Sequence, residues 1–213
     1  MTASQTGIGV LITFEGGEGG GKTTQVAGLK KKLEESGKKV IALREPGGTE
    51  ISEQIREVVL SAKNKAISYT TEVLLFQAAR AQIYEQVVIP ALAAGTIVLM
   101  DRSRDSSVVY QGIVREFGKD LIDQLNDIST KKTYPNLTIL LDVPSKVGLQ
   151  RQAEAGGNNR MELEDLSFHE KVRAAYLGLA TENQNGRWKV IDASQSMEAV
   201  TEAIWNEVIK VIP

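Results

Sequence analysis

The stretch Gly16-Gly17-Glu18-Gly19-Gly20-Gly21-Lys22-Thr23 decides the fold. It fits the pattern G-x-x-x-x-G-K-[ST]. In that pattern glycines let backbone N–H groups converge on phosphate oxygens, where side chains would block the approach. Lys22 is placed to bridge the β- and γ-phosphates, and Thr23 to hold Mg²⁺ through its hydroxyl. A glycine-rich surface turn is the alternative reading. The flanks argue against it: an apolar run at residues 10–14 precedes the loop, and an amphipathic helical pattern opens at Thr23. A helix starting there turns its partial positive charge toward the anion. Gly16, Gly17, Glu18, Gly19, Gly20, Gly21, Lys22, Thr23 and Thr24 are therefore the candidate ATP-binding residues.

Outward from this loop, short β-branched runs alternate with longer helical patterns. Candidate strands lie at residues 10–14, 39–43, 96–101, 137–142 and 189–192. They are almost continuously apolar, as buried parallel strands are. Val26, Leu29 and Leu33 mark the first helix. A long helix is predicted over 71–94 with a kink at Pro90, and others over 145–152, 165–180 and 197–211. The alternation predicts a three-layer α/β fold with a parallel sheet, as one domain spanning 1–213. Residues 153–159 (AEAGGNN) are small and polar; they read as a surface loop or as part of a mobile lid at about 151–164, and the flanking Arg151 and Arg160 favour the lid.

Composition narrows the chemistry. The 213 residues are 42% hydrophobic and 24% charged, with net charge −2. No bulk field recruits nucleic acid or an anionic membrane. Cysteine is absent and His169 is the single histidine, which excludes disulfides, thiolate catalysis and polyhistidine metal sites. The first residues carry no basic segment followed by a long apolar run, so a cytoplasmic protein is expected. The guanine-reading N-K-x-D motif is missing: Asn64-Lys65-Ala66-Ile67 fails at the acid. That disfavours a GTPase switch, and motor ATPases usually need a larger chain. A small-molecule kinase remains.

The acceptor side is suggested by charge at strand ends, where ligands of doubly wound sheets sit. Arg44-Glu45-Pro46-Gly47-Gly48-Thr49 follows the second strand. Asp101-Arg102 ends the third and leads into Asp105-Ser106-Ser107-Val108-Val109-Tyr110-Gln111-Gly112. Phe76 and Arg80 are four apart on a helix and share a face, as do Ser107 and Gln111. Taken alone, each pair also suits a core residue beside a solvated one.

FEGGEGGGKTTQ, REPGGT, LLFQAARAQ, DRSRDSSVVYQG and EDLSFHEKVRAAY occur in this order. Together they resemble the thymidylate kinase family over nearly the whole chain. The resemblance implies the P-loop nucleoside monophosphate kinase fold with a five-stranded parallel sheet. It implies transfer of the γ-phosphoryl group from ATP to dTMP, with Mg²⁺ and in a homodimer. Position by position, Arg56 and Arg102 match arginines that hold the acceptor phosphate. Phe76 matches the ring that stacks on thymine, and Arg80 the reader of a base carbonyl. Ser107 and Gln111 match base-edge contacts, with Ser106 beside them, and Tyr110 matches the ring that crowds the sugar 2′ position. Glu18 matches an acid near the 3′-hydroxyl, Glu45 an acid near the metal, and Arg151 a neighbour of adenine. Thr23, Glu45 and Asp101 are the implied metal residues; Lys22, Arg102, Arg160 and Glu18 are the implied catalytic ones. The loop lacks an arginine, which resembles the bacterial type with its catalytic arginine in the lid. There are departures: Ile83 stands where histidine is frequent, Ser103 where an aromatic is frequent, and residues 153–159 lack a basic residue, leaving Arg160 as the lid cation. The apolar run at 87–94 suits either a dimer face or an internal core. Rival readings are a kinase for another nucleotide or a nucleoside, and a P-loop regulatory protein with weak turnover.

Overall fold

The computed structural model describes residues 9–156, 159–182 and 186–213. Strand β1 (Leu11–Glu15) is buried along its whole length and occupies the middle of a five-stranded parallel sheet of order β2-β3-β1-β4-β5. The other strands are β2 (Val40–Arg44), β3 (Ile97–Asp101), β4 (Leu137–Asp142) and β5 (Trp188–Asp192). β1 pairs Leu11 with Val98 of β3 on one side and Ile12 with Leu137 of β4 on the other. Both faces of a parallel sheet must be covered, and continuous apolar strands meet that need.

Helix α1 (Lys22–Glu35) buries Val26, Leu29 and Leu33. With Ile204 and Val208 of α9 (Met197–Val208) they close one face of the sheet. The other face is covered by α8 (Leu166–Thr181), through Phe168, Val172, Tyr176 and Leu179, and by Ile122 of α6 (Lys119–Ser129). A third core joins Ile83, Tyr84 and Val88 to Leu11, Val98 and Met100. Helices α2 (Glu50–Leu60) and α7 (Ser145–Glu154) complete the cleft walls.

The long helix predicted over 71–94 is interrupted. It consists of α3 (Tyr69–Ile83), a π-helical turn (Tyr84–Val88) and α4 (Ile89–Ala93). Pro90 has no N–H to continue the α ladder, and the helix accommodates this by widening in the turn before it. A second π turn, Val108–Val114, follows the short α5 (Arg104–Ser107) and carries Tyr110 and Gln111. The apolar run at 87–94 contributes to an internal core: Val88 is fully buried, and the partly buried Val87, Ile89, Ala91 and Leu92 pack on the third core, while Pro90, Ala93 and Ala94 are exposed. Among the described residues, no helix is long and apolar enough to cross a membrane.

Candidate active site

Two glycine contacts fix the loop after β1. Gly19 has φ +65°, and a Cβ there would stand 2.0 Å from the carbonyl oxygen of Gly148 in α7. A Cβ on Gly148 would in turn meet the Glu18 carbonyl oxygen at 2.2 Å. Loop and helix therefore touch backbone to backbone, which only glycine permits. Lys22 folds over the loop, donating to the carbonyl oxygens of Gly17 (2.7 Å) and Gly16 (3.2 Å). Burial depresses its pKa, and the neighbouring Arg102 adds to the effect.

Thr23 Oγ1 donates to Asp101 Oδ2 at 2.5 Å. This hydroxyl–carboxylate pair at the mouth of the loop is a hard, all-oxygen donor set. Among the described residues there is no cluster of three or more His, Cys, Asp or Glu that could hold a metal. The pair suits Mg²⁺, which takes one or two protein oxygens and completes its shell with phosphate and water. Glu45 does not join Thr23 and Asp101. Its Oε2 accepts from Arg80 Nε at 2.7 Å, while its Oε1 is buried without a hydrogen-bond partner among the described residues. Burial raises the Glu45 pKa, against the pull of Arg80.

The loop opens into a cleft of 690 Å³. Gly19, Gly20, Gly21, Lys22, Thr23 and Thr24 line its donor end; Gly16 and Gly17 lie beneath, accepting from Lys22. Arg151 also lines this end, anchored by donation to the Ala193 carbonyl oxygen at 3.0 Å, beside Gln195 and Met197.

The acceptor end is lined by Glu45, Arg56, Phe76, Arg80, Ser106, Ser107, Tyr110 and Gln111. Arg102 stands between the ends with φ +66°. It donates to Glu18 Oε1 (2.7 Å) and to the Gly16 carbonyl oxygen (3.0 Å). Burial alone would raise the Glu18 pKa, but Arg102 and Lys22 outweigh it and hold the group down at about 2. Tyr110 also donates to Glu18, at 3.2 Å. Arg56 donates to the Pro46 carbonyl oxygen at 2.7 Å, beside Arg44, which does the same at 2.9 Å. The cleft thus gathers Arg44, Arg56 and Arg102 at this end.

Arg80 is not the freely projecting cation its helix position suggested. It is 2% exposed and spends four of its five N–H groups on Glu45, Ser107, Asn126 and the Ser103 carbonyl oxygen. Ser107 and Gln111 face the cleft from the end of α5 and from a π turn, not from one α-helix.

Arg160, expected as the lid cation, is engaged with α2 and α3 in this structure. It is not among the cleft-lining residues. Its Nη1 lies 2.7 Å from Glu72 Oε2, its Nε donates to the Val59 carbonyl oxygen at 3.1 Å, and its backbone N–H donates to that of Leu60 at 2.9 Å. A fully buried carboxylate draws the nearest guanidinium, and Arg160 answers that demand. Arg173 pairs with Asp142. Of the predicted lid, Gly157 and Asn158 lie outside the described residues.

Three further groups escaped the sequence reading. Glu15, at the end of β1, is fully buried and accepts from the Ser103 N–H (2.9 Å), Ser106 Oγ (2.6 Å) and Tyr176 OH (2.9 Å). Burial, with Asp105 nearby, pushes its pKa up to about 7. Tyr176 also meets Arg102, and Asn126 of α6 braces Arg80 and Gln77. Glu15 and Tyr176 lie inside the quoted segments FEGGEGGGKTTQ and EDLSFHEKVRAAY, which marked their neighbourhood but not their role; nothing local marked Asn126.

The thymidylate kinase family profile matches residues 14–204. The chain is 44% identical to a thymidylate kinase of Geobacter sulfurreducens, over 97% of this chain and 99% of that protein. It is 46% identical to one of Geotalea uraniireducens, over 95% and 97%. The crystal structure of thymidylate kinase from Ehrlichia chaffeensis superposes with a TM-score of 0.76 at 31% identity, covering 96% of this chain and 99% of that one. With the five-stranded parallel sheet, the phosphate loop and the facing acceptor wall, these likenesses leave one assignment: the chain belongs to the thymidylate kinase family.

Proposed function

We propose that this protein transfers the γ-phosphoryl group of ATP to dTMP, giving ADP and dTDP, a step toward dTTP. The observation that carries the reading is a single cleft. It joins a phosphate loop bearing Lys22 and Thr23 to a wall bearing Phe76, Arg80, Tyr110 and Gln111, with Arg102 between.

The roles follow from charge and position. Backbone N–H groups of residues 19–24 and Lys22 hold the donor phosphates. Thr23 and Asp101 would hold Mg²⁺, which when bound would supply positive charge against the donor phosphates. Arg56 and Arg102 take the acceptor phosphate; for Arg102 this means exchanging Glu18 for a phosphate oxygen, a trade of one anion for another. The attacking oxygen is already anionic, so no general base is needed. Phe76 stacks on the base, and Tyr110 crowds the sugar. Arg151 faces the adenine. Lys22 and Arg102 supply the positive charge nearest the transferring group, and Arg160 acts from behind the wall, through Glu72.

The proposal extends to one domain over 1–213, a cytoplasmic setting and a homodimer. Exposed Ile51, Val58 and Leu74 on the adjoining α2 and α3 support the dimer; a monomer by sedimentation at micromolar concentration would remove it. The activity is tested by ADP release over a panel of dTMP, AMP, CMP and thymidine with ATP and Mg²⁺. The proposal expects dTMP to have the highest kcat/KM and thymidine none. A preference for AMP, CMP or thymidine contradicts it.

A further inference from the structure

Glu72, in the first turn of α3, is a carboxylate with no exposure at all. Its Oε1 accepts from Gln111 Nε2 at 2.9 Å, and Arg115 Nε lies 3.8 Å from the same oxygen. Its Oε2 lies 2.7 Å from Arg160 Nη1. Arg115 in turn pairs with Glu164 and stacks over Tyr69 and Phe168. Two arginines thus hold the carboxylate in place from behind, and Gln111 faces it from the cleft.

The two ends of a glutamine amide are nearly equal in size and opposite in hydrogen-bonding sense. Left alone, Gln111 would offer the cleft either an N–H or a carbonyl oxygen. A carboxylate only accepts, so Glu72 takes the NH₂ end and leaves Oε1 for the cleft. Among the described residues, nothing donates to that oxygen. Opposite, Arg80 keeps one N–H on Nη2 after its four internal bonds. The wall therefore shows one acceptor and one donor. A pyrimidine with an imide N3–H and an O4 carbonyl complements both. Cytosine has an unprotonated N3 and a 4-amino group, and so opposes both.

We propose that Glu72 is a specificity-positioning residue: it fixes the amide sense of Gln111 and thereby commits the acceptor pocket to imide bases, thymine or uracil, against cytosine. This rests on the reading of the cleft as a dTMP site.

The test is the ratio of kcat/KM for dTMP to that for dCMP in the wild type, E72Q, Q111L and the double variant. In E72Q the new amide can donate to Gln111 Oε1 and let Gln111 turn. The ratio should fall by at least about tenfold, with a loss for dTMP and a gain for dCMP. In the Q111L background E72Q should lower the ratio no further. Equal losses for both substrates, or an unchanged ratio, would overturn the proposal in favour of a packing role. Should E72Q not fold, Q111L decides, since it leaves Glu72 with both arginines: its ratio must fall, and an unchanged one overturns the proposal. A wild type inactive on dTMP would sink the functional reading itself. A wild type that uses dTMP and dCMP equally would sink only this inference.

Discussion

The donor and acceptor ends of the cleft are built differently. At the donor end, Lys22 reaches carbonyls five and six residues earlier, and the glycines that shape the loop are consecutive with it. At the acceptor end, Arg80 reaches Glu45, Ser103, Ser107 and Asn126, which come from three separate parts of the chain. The first arrangement is local, and its side chain lines the cleft. The second is a buried network whose polar groups largely satisfy one another. The physical consequence is that function and stability separate at the donor end and merge at the acceptor end.

Lys22→Ala and Arg80→Ala expose that difference most strongly. Removing Lys22 should lower kcat by at least about a thousandfold, as losing a phosphate-clamping cation does, with the melting temperature nearly unchanged. Removing Arg80 leaves Glu45 buried and unpaired, and should destabilise the fold by about 3–5 kcal/mol in denaturant unfolding while also weakening use of dTMP. A folded, fully stable Arg80→Ala protein would mean that the network is not cooperative.

Arg160 sharpens the comparison, because the sequence places it in the lid and the fold ties it to the acceptor wall. Arg160→Ala should cost about 3 kcal/mol of stability, the scale of an uncompensated buried carboxylate, and reduce kcat less than about tenfold, roughly 1.4 kcal/mol. A hundredfold loss of kcat with unchanged stability would return the guanidinium to the transition state.

The most gradual effect concerns pH. Glu15 is raised from 4.5 to about 7 by burial. A raised carboxyl stabilises the fold below its ordinary value, and that contribution is lost as pH climbs toward the folded value. Stability should therefore decline between pH 4.5 and 7, by up to about 3 kcal/mol from this group. Glu18, held down at about 2, contributes above 4.5 and loses its contribution only below it, so it is constant in the same window. Glu15→Gln should flatten the decline; an unaltered slope in urea titrations at stepped pH would assign it elsewhere.

This contrast also explains what was legible in the sequence. The five strands and the phosphate loop announce themselves because a continuous apolar run and a glycine spacing are local signals. Phe76, Arg102 and Tyr110 were found as cleft residues through motif resemblance. Helices α2 and α6 were not anticipated, and with α6 went Asn126, which braces Arg80. The pairing of Arg160 with Glu72 is likewise a contact between distant segments, invisible until the chain is folded. Pro90 marked a disturbance in its helix, but the widened turn it produces lies upstream of it.

The central claim is that the two ends form one continuous cleft for ATP and dTMP. The most direct measurement is calorimetric titration with a single molecule joining adenosine to thymidine through five phosphates. The account predicts one molecule bound per chain, more tightly than either ATP or dTMP alone, with affinity lowered by both Lys22→Ala and Phe76→Ala. Binding no tighter than ATP and indifferent to Phe76→Ala would contradict it.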